Sequence, residues 1–473
     1  MTTPNPLANL APGKPVQTFR GPLLHFLEDP GLDTTPAPGS YDYFEDGLLV
    51  EQDGHVEAVG PAEDLLPHLP EGTKLAHWPD HLILPGFIDT HIHLPQLGVM
   101  GSYGAQLLDW LEKYTFPAET RFQETSWAQS QAALFLDQLS RHGTTAALVF
   151  CTSHPQSVDA LFEAAEARGQ AITGGKVMMD RNSPDGLRDE TVASHRDSQA
   201  LIDRWHNKGR LQYAVTPRFA PTSTPRQLEL AGKLVADNPG VLMQTHWAEH
   251  LSEIEWVKEL FPDRSDYLDV YAHYGLLNDR AVLAHGIHID DHDRRRLVDT
   301  GARVAFCPTS NTFLGSGLFD LKSAHDAGVT LGLATDVGGG TSLSLLPTMA
   351  EAYKVCQLRG QSLTPFQAFY LATLGNARVL HRDNEIGNFA AGKAADFIVL
   401  DPTATPVLAM KHEQDRNLFE RLFDLMMLGD DRVIQRTYIA GHCRFDRDSH
   451  CGSEKRDSKE GVLADGRVSQ RMA

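Results

Sequence analysis

Two histidines one residue apart, His91 and His93 in LPGFIDTHIH, are the first residues whose types and spacing could do chemistry. Side chains on a strand repeat with a period of two, so both imidazoles would share one face. Neutral imidazoles so placed suit Zn²⁺ or another borderline transition metal. An isolated His-x-His serves equally well as a solvated or a core pair. Here the turn before the strand, the apolar strand itself and its polar exit favour the metal. His246 in VLMQTHWAE would be a third ligand, and Asp336 in LATDVGGG a fourth. A catalytic metal keeps a position for water, which makes the coordination number five rather than four. Alone, Asp336 reads as an Asx turn capping a strand. Beside the histidines the ligand reading takes precedence, and the glycines that follow let the backbone pass close to a ligand.

Glu249 follows His246 as H-x-x-E, a spacing that would point the two side chains in opposite directions on a strand. Both reach one site only if the chain turns between them. A carboxylate there can shuttle protons in a hydrolysis or deamination; the plainer reading is a Glu favoured at a helix N-terminus. His285 opens HGIHIDDH, and a literal reading proposes H-x2-H-x3-H with His288 and His292 as a second metal site. A strand followed by a polar turn would splay those rings, so only His285 is expected to face inward. Arg218 and Phe219 end a further apolar run.

These residues need a scaffold that gathers strand ends. Short β-branched runs recur at 84–93, 144–150, 172–180, 212–219, 241–249, 281–288, 302–308 and 330–337, roughly one βα unit apart. Helix-like stretches such as WAQSQAALFLDQLSRHG separate them. The pattern predicts an α/β fold, a (β/α)8 barrel, whose site lies at the C-terminal ends of its strands. Alternating segments at 19–85, with Gly47 and Asp53-Gly54 as turns, resume at 386–401 and 432–446. They predict a small β-sandwich domain built from both chain ends. The expected division is 1–84 and 381–445 for that domain, 85–380 for the catalytic barrel, and 446–473 as a disordered tail, because the tail has no aromatic residue.

Composition removes several function classes. The 473 residues are 41% hydrophobic and 22% charged, with 42 Lys and Arg against 62 Asp and Glu, a net charge of −20. That balance argues against nucleic acid as a partner. No apolar run approaches a membrane span, and MTTPNPLANLAPGKP lacks a signal-peptide core. Five widely spaced cysteines fit a reduced, cytoplasmic protein. Gly387–Lys393 spells G-x4-G-K, but Ala394 stands where a P-loop needs Ser or Thr. The pairs His442-Cys443 and His450-Cys451 look like a metal knuckle and are read as coincidence. Lys176, at the start of the third strand, is not expected at the rim, which disfavours a binuclear site bridged by a lysine.

On PGFIDTHIH, the His246 and His285 strands, ATD at 334–336 and AAGKAADFIVLD, the sequence resembles the amidohydrolase superfamily. Within it, the blocks at 91–122 (with YTFPAE), GKVMMDRN, TPRFAPTS, QTHWAEH and FCPTSNTFLGSGLF are similar to the guanine deaminases. The blocks span most of residues 80–400. The resemblance implies hydrolytic deamination of guanine to xanthine and ammonia, with one Zn²⁺ per subunit, in a homodimer. Its metal ligands fall on His91, His93, His246 and Asp336. Its substrate contacts fall on Gln96, Arg218, Phe219, Glu249 and His285, and its catalytic groups on Glu249, His285 and Asp336. Zinc lowers the pKa of its water to about 7. Hydroxide would attack C2 of the purine, Asp336 assisted by His285 taking the water proton and Glu249 protonating the ring and the leaving amine. Arg218 would donate to the purine carbonyl. Trp247 and His250 depart from the small, less basic residues expected beside His246 and Glu249. The alternatives are a mononuclear deaminase or chlorohydrolase of another purine such as 8-oxoguanine, of a pterin or of a triazine, and a non-catalytic scaffold; such a scaffold need not keep metal ligands, whereas here every expected one is present. The same N and O ligands serve Fe²⁺ as well as Zn²⁺.

Overall fold

A computed structural model describes residues 6–103, 110–414 and 416–448. Strands β1 (Val16–Phe26), β2 (Tyr41–Gln52) and β3 (His55–Pro61) run antiparallel in sequence order. Asp53 and Gly54, both at positive φ (54° and 82°), make the β2–β3 turn as expected. Gly47 does not. It lies inside β2 opposite Gly21, where a Cβ would come within 2.9 Å of the Leu23 Cβ and 3.0 Å of the Phe44 Cβ. Its smallness permits a close approach between strands instead of a reversal.

β4 (Lys74–His77) runs parallel to β1, and β5 (Leu82–Pro85) follows before β6 (Phe87–His93). The single run expected at 84–93 is therefore two strands in two different sheets, broken at Gly86. A Cβ on Gly86 would lie 2.2 Å from Thr145 Oγ1, so only glycine lets the chain pass from one sheet to the other.

The barrel continues with β7 (Thr144–Phe150), β8 (Ala171–Gly175), β9 (Val177–Met178), β10 (Gln212–Pro217), β11 (Leu242–Trp247), β12 (Ala281–His285), β13 (Arg303–Phe306) and β14 (Leu331–Leu333). The parallel order is β14-β13-β12-β11-β10-β8-β7-β6, with β9 also on β10. β8 and β9 are one barrel stave interrupted at Lys176, whose Nζ is drawn to Asp189 at 2.8 Å and Ser194 at 3.0 Å, away from the rim. The seam between last and first strands is closed by Asp336 N–H donating to His91 O (2.9 Å) and His93 N–H to Val337 O (2.8 Å). Asp89 reinforces it, accepting from Thr335 N–H at 3.2 Å and His91 N–H at 3.2 Å. Ile88, Leu148, Leu242, Val282 and Ala334 fill the barrel interior. The helix Thr125–Arg141 packs Ala128, Ala132, Phe135, Leu136 and Leu139 inward, the 3–4 spacing of a core-facing stripe.

β15 (Phe397–Leu400), β16 (Ile434–Ile439) and β17 (His442–Asp446) return to the first sheet. β15 pairs antiparallel with β5, so both chain ends share one mixed eight-stranded sheet, ordered β17-β16-β15-β5-β1-β2-β3 with β4 on β1. Phe19, Leu49, Ile83, Phe397 and Tyr438 give it a core of its own. The stretch 387–393 is a loop, and Ala394 bridges to His55. The expected tail lies outside the described residues from 449 onward, while Asp446 closes β17. Among the described residues, no helix is long and apolar enough to cross a membrane.

Candidate active site

The exits of β6 and β11 and the turn after β14 bring four donors together. His91 Nε2 and His93 Nε2 lie 3.2 Å apart, each 3.2 Å from Asp336 Oδ1, and His246 Nε2 is 3.2 Å from His93 Nε2. His246 Nδ1–H donates to Arg218 O at 2.7 Å, which fixes the tautomer and leaves the Nε2 lone pair facing the cluster. Phe150, at the end of β7, packs against the rings of His91, His93 and His246 with centroids 4.9, 4.7 and 4.8 Å away.

Burial pushes His93 down to about 3 and His246 well below the usual imidazole range, so the rings stay neutral. Burial lowers His91 as well, outweighing the adjacent Asp336 carboxylate. For Asp336 burial is overcome by His91 and His93, which hold the carboxylate ionised. Three neutral imidazole lone pairs and one carboxylate oxygen thus converge with too few protons to share, and these atoms all lie within 4.8 Å of one another. Such a donor set fits a divalent transition metal.

Glu249 reaches the same place because the chain turns after β11. Ala248 adopts φ 49°, a left-handed conformation uncommon outside glycine, and this supplies the turn that the H-x-x-E spacing demands. Glu249 Oε1 accepts from Ser316 Oγ at 3.0 Å, and Oε2 lies 3.5 Å from His285 Nε2. Burial raises the Glu249 carboxyl above its ordinary range. His285, at φ 74°, points Nδ1 to Asn311 Oδ1 (2.9 Å) and Nε2 to Asp336 Oδ2 (3.8 Å). Burial opposes its charged form, but Glu249 and Asp336 outweigh it and raise the ring.

His288 is turned to Ser316 O at 2.9 Å and His292 is exposed at a helix start, so His285 alone of that trio enters the site. Trp247 is buried in the main core and His250 caps the helix Leu251–Leu260, so neither departure lines the cavity.

Beside the donors lies a cavity. Its apolar walls are Trp110, Leu111, Phe219 and Leu314, and Arg218 and Gln96 supply polar groups. The nine residues singled out from the sequence meet here, all but His91 on the lining and His91 immediately behind it. Several partners were not legible. Glu119 accepts from Gln96 Nε2 at 2.9 Å and from Arg218 Nη1 at 2.9 and 2.8 Å. Glu253 accepts from the Glu249 and His250 N–H groups at 3.0 and 3.1 Å and from Tyr267 OH at 2.6 Å. Asn311, Ser316 and Phe150 were equally silent. The one signal for Glu119 was a carboxylate inside the apolar stretch FPAE.

A family model described as the amidohydrolase family matches residues 82–444. The chain belongs to the amidohydrolase family. This amidohydrolase is 50% identical over 405 residues to the guanine deaminase of Escherichia coli (strain K12), covering 86% of this chain and 92% of that one. Among solved structures it is similar to E. coli guanine deaminase, with a TM-score of 0.87 and 47% identity over 91% of this chain and 100% of the other. A guanine deaminase from C. acetobutylicum with guanine bound in its active site aligns with a TM-score of 0.81 and 28% identity, over 91% of this chain and 100% of that one.

Proposed function

We propose that this amidohydrolase hydrolyses the 2-amino group of guanine. Water adds at C2, the C2–N bond breaks, and xanthine and ammonia leave. The observation that carries the reading is the placement of Glu249. Its buried carboxyl sits 3.5 Å from His285, with the four-donor cluster on one side and the cavity with Arg218 and Gln96 on the other. The guanine deaminases to which the chain is similar support the choice of ring.

One zinc ion per subunit, held by His91, His93, His246 and Asp336, would act as a Lewis acid and bring the pKa of water to about 7. The chain's own groups do the rest. His285 and Asp336 Oδ2, 3.8 Å apart, take the proton of the attacking water. Glu249, with its raised pKa, protonates the ring nitrogen beside C2, takes up the hydroxyl proton of the adduct and passes it to the departing amine. The proton held by His285 and Asp336 then returns to Glu249 across the 3.5 Å between His285 and Glu249. Arg218 donates to the purine carbonyl and Gln96 pairs with the ring edge, while Phe219 packs on the ring.

We further infer a homodimer acting in the cytoplasm on the free base, with neither nucleic acid nor membrane as partner. The net charge of −20 supports the exclusion of nucleic acid. The division into 1–84 with 381–445 for the small domain and 85–380 for the barrel is our reading also, supported by the β5–β15 pairing of the two chain ends.

The test is ammonia release from guanine, adenine, 8-oxoguanine, cytosine and a triazine by purified, metal-assayed protein. Turnover of guanine that a chelator abolishes and zinc restores is expected. Preference for another ring overturns the substrate assignment, and turnover unaffected by metal removal overturns the metal assignment.

A further inference from the structure

We propose that Glu119 is a positioning residue that fixes the hydrogen-bond polarity of the cavity and so selects a 6-oxopurine over a 6-aminopurine. The proposal rests on the purine reading above and explains how that site tells one ring from another.

Glu119 is fully buried, and Arg218 beside it has a side chain only 4% exposed. A buried ion pair of this kind is weak evidence for stability, because desolvation of both groups offsets their attraction. It is better understood by what it holds in place. Arg218 Nη1 donates to both carboxylate oxygens, at 2.9 and 2.8 Å, and the Phe116 ring lies 5.4 Å from the guanidinium carbon. The planar fork is thereby anchored at one nitrogen, and its remaining donors stay with the cavity that Arg218 lines.

Gln96 is oriented by the same carboxylate. An ionised carboxylate only accepts, so the group facing it must be the amide Nε2, which donates at 2.9 Å. The amide cannot turn over without setting its oxygen against Glu119. Gln96 Oε1 therefore stays beside Gly338, whose N–H it accepts at 3.2 Å, next to the cavity-lining Gly339. A carbonyl oxygen carries two lone pairs, and one remains for a ligand.

The cavity thus offers a fixed donor at Arg218 and a fixed acceptor at Gln96. A 6-oxopurine presents the complement, a C6 carbonyl that accepts and an N1–H that donates. A 6-aminopurine presents the reverse, an amine that donates and an N1 that accepts, and would leave buried polar groups facing like partners. Sites built to hydrogen-bond one pattern reject its reversal strongly, because the unmatched groups remain desolvated.

The experiment is calorimetric titration of the zinc-loaded enzyme with hypoxanthine, a 6-oxopurine without the 2-amino group, and with adenine. No turnover is read. The unaltered protein is expected to prefer hypoxanthine. Glu119→Gln, whose amide lets Gln96 turn over, is expected to weaken hypoxanthine roughly 10- to 100-fold while adenine changes little or tightens. Glu119→Asp keeps an acceptor-only group and is expected to preserve the preference while both rings weaken. A parallel loss for both rings in Glu119→Gln, or an unchanged preference, overturns the proposal. If Glu119→Gln does not fold or load metal, Gln96→Met replaces it, and a hypoxanthine preference there as large as that of the unaltered protein is the overturning result. Preference for hypoxanthine without ammonia release from guanine leaves the proposal standing and sinks the proposed reaction. Binding of neither ring by the unaltered protein overturns both.

Discussion

Glu249 links the donor cluster to the cavity through a carboxyl that burial keeps easier to protonate than an exposed one. Glu249→Gln conserves shape and the Ser316 contact but carries no transferable proton. Its kcat is expected to fall roughly 10²- to 10⁴-fold, the usual contribution of a positioned acid–base. Zinc content by atomic absorption should stay at the level of the unaltered protein, because Glu249 is not among the four converging donors. Near-normal turnover would remove Glu249 from the proton path. At this scale the sequence was informative where a side chain's type matched its chemistry: imidazoles, Asp336, Glu249 and Arg218 could all be named. Glu119, Glu253 and Asn311 could not, since a carboxylate or amide buried by distant segments looks like any surface one in the sequence.

The segment from β11 into the helix Leu251–Leu260 shows how an element positions chemistry. Glu253 belongs to the capping box at the helix start, and the same carboxylate holds the Glu249 backbone. Burial, and then the Glu249 carboxylate nearby, push Glu253 up to about 7. The folded chain thus keeps a proton that the unfolded chain releases near the ordinary 4.5, so folding is progressively disfavoured as pH rises from 4.5 to about 7. This contribution reaches up to about 3 kcal/mol and is constant above that window. Glu253→Gln retains a carbonyl oxygen that can accept from both N–H groups and sets an amide donor against the Tyr267 oxygen, which can accept from it. Urea denaturation at pH 5 and pH 8 should show a smaller loss of stability with rising pH in the variant. An equal slope in both proteins would mean that Glu253 ionises normally. The sequence called for a turn between His246 and Glu249, because period-two alternation cannot put both on one face. It did not show that Ala248 makes the turn, nor that Gly47 lies inside a strand, because both depend on which neighbours press on the backbone.

Over the whole molecule, three of the four converging donors, His91, His93 and Asp336, sit at the seam that closes the barrel, where His91 O accepts from Asp336 N–H and His93 N–H donates to Val337 O. A metal bound there would tie first and last strands together, so its removal is expected to change stability as well as activity. Chelation is expected to lower Tm by at least about 5 °C, restored by one equivalent of zinc, as for any ligand that binds only the folded state. Scanning calorimetry of apo and reconstituted protein checks this, and an unchanged Tm would separate the metal from barrel closure. The terminal sheet is fastened to the barrel by Arg210 Nη1 on Asp396 Oδ1 at 3.0 Å, and by the chain itself at Gly86.

What the sequence determined alone was periodic or chemical: alternation gave the strands, their spacing the barrel, residue type the candidate metal donors and the proposed proton carrier. These signals are local, written within a few residues of one another. Tertiary structure decided the rest. It split the run at 84–93 between two sheets, joined both chain ends through β5 and β15, and set Glu119 between Gln96 and Arg218. Such relations join residues far apart along the chain, and burial, which turns an ordinary carboxylate into an orienting one, exists only once those segments have packed together.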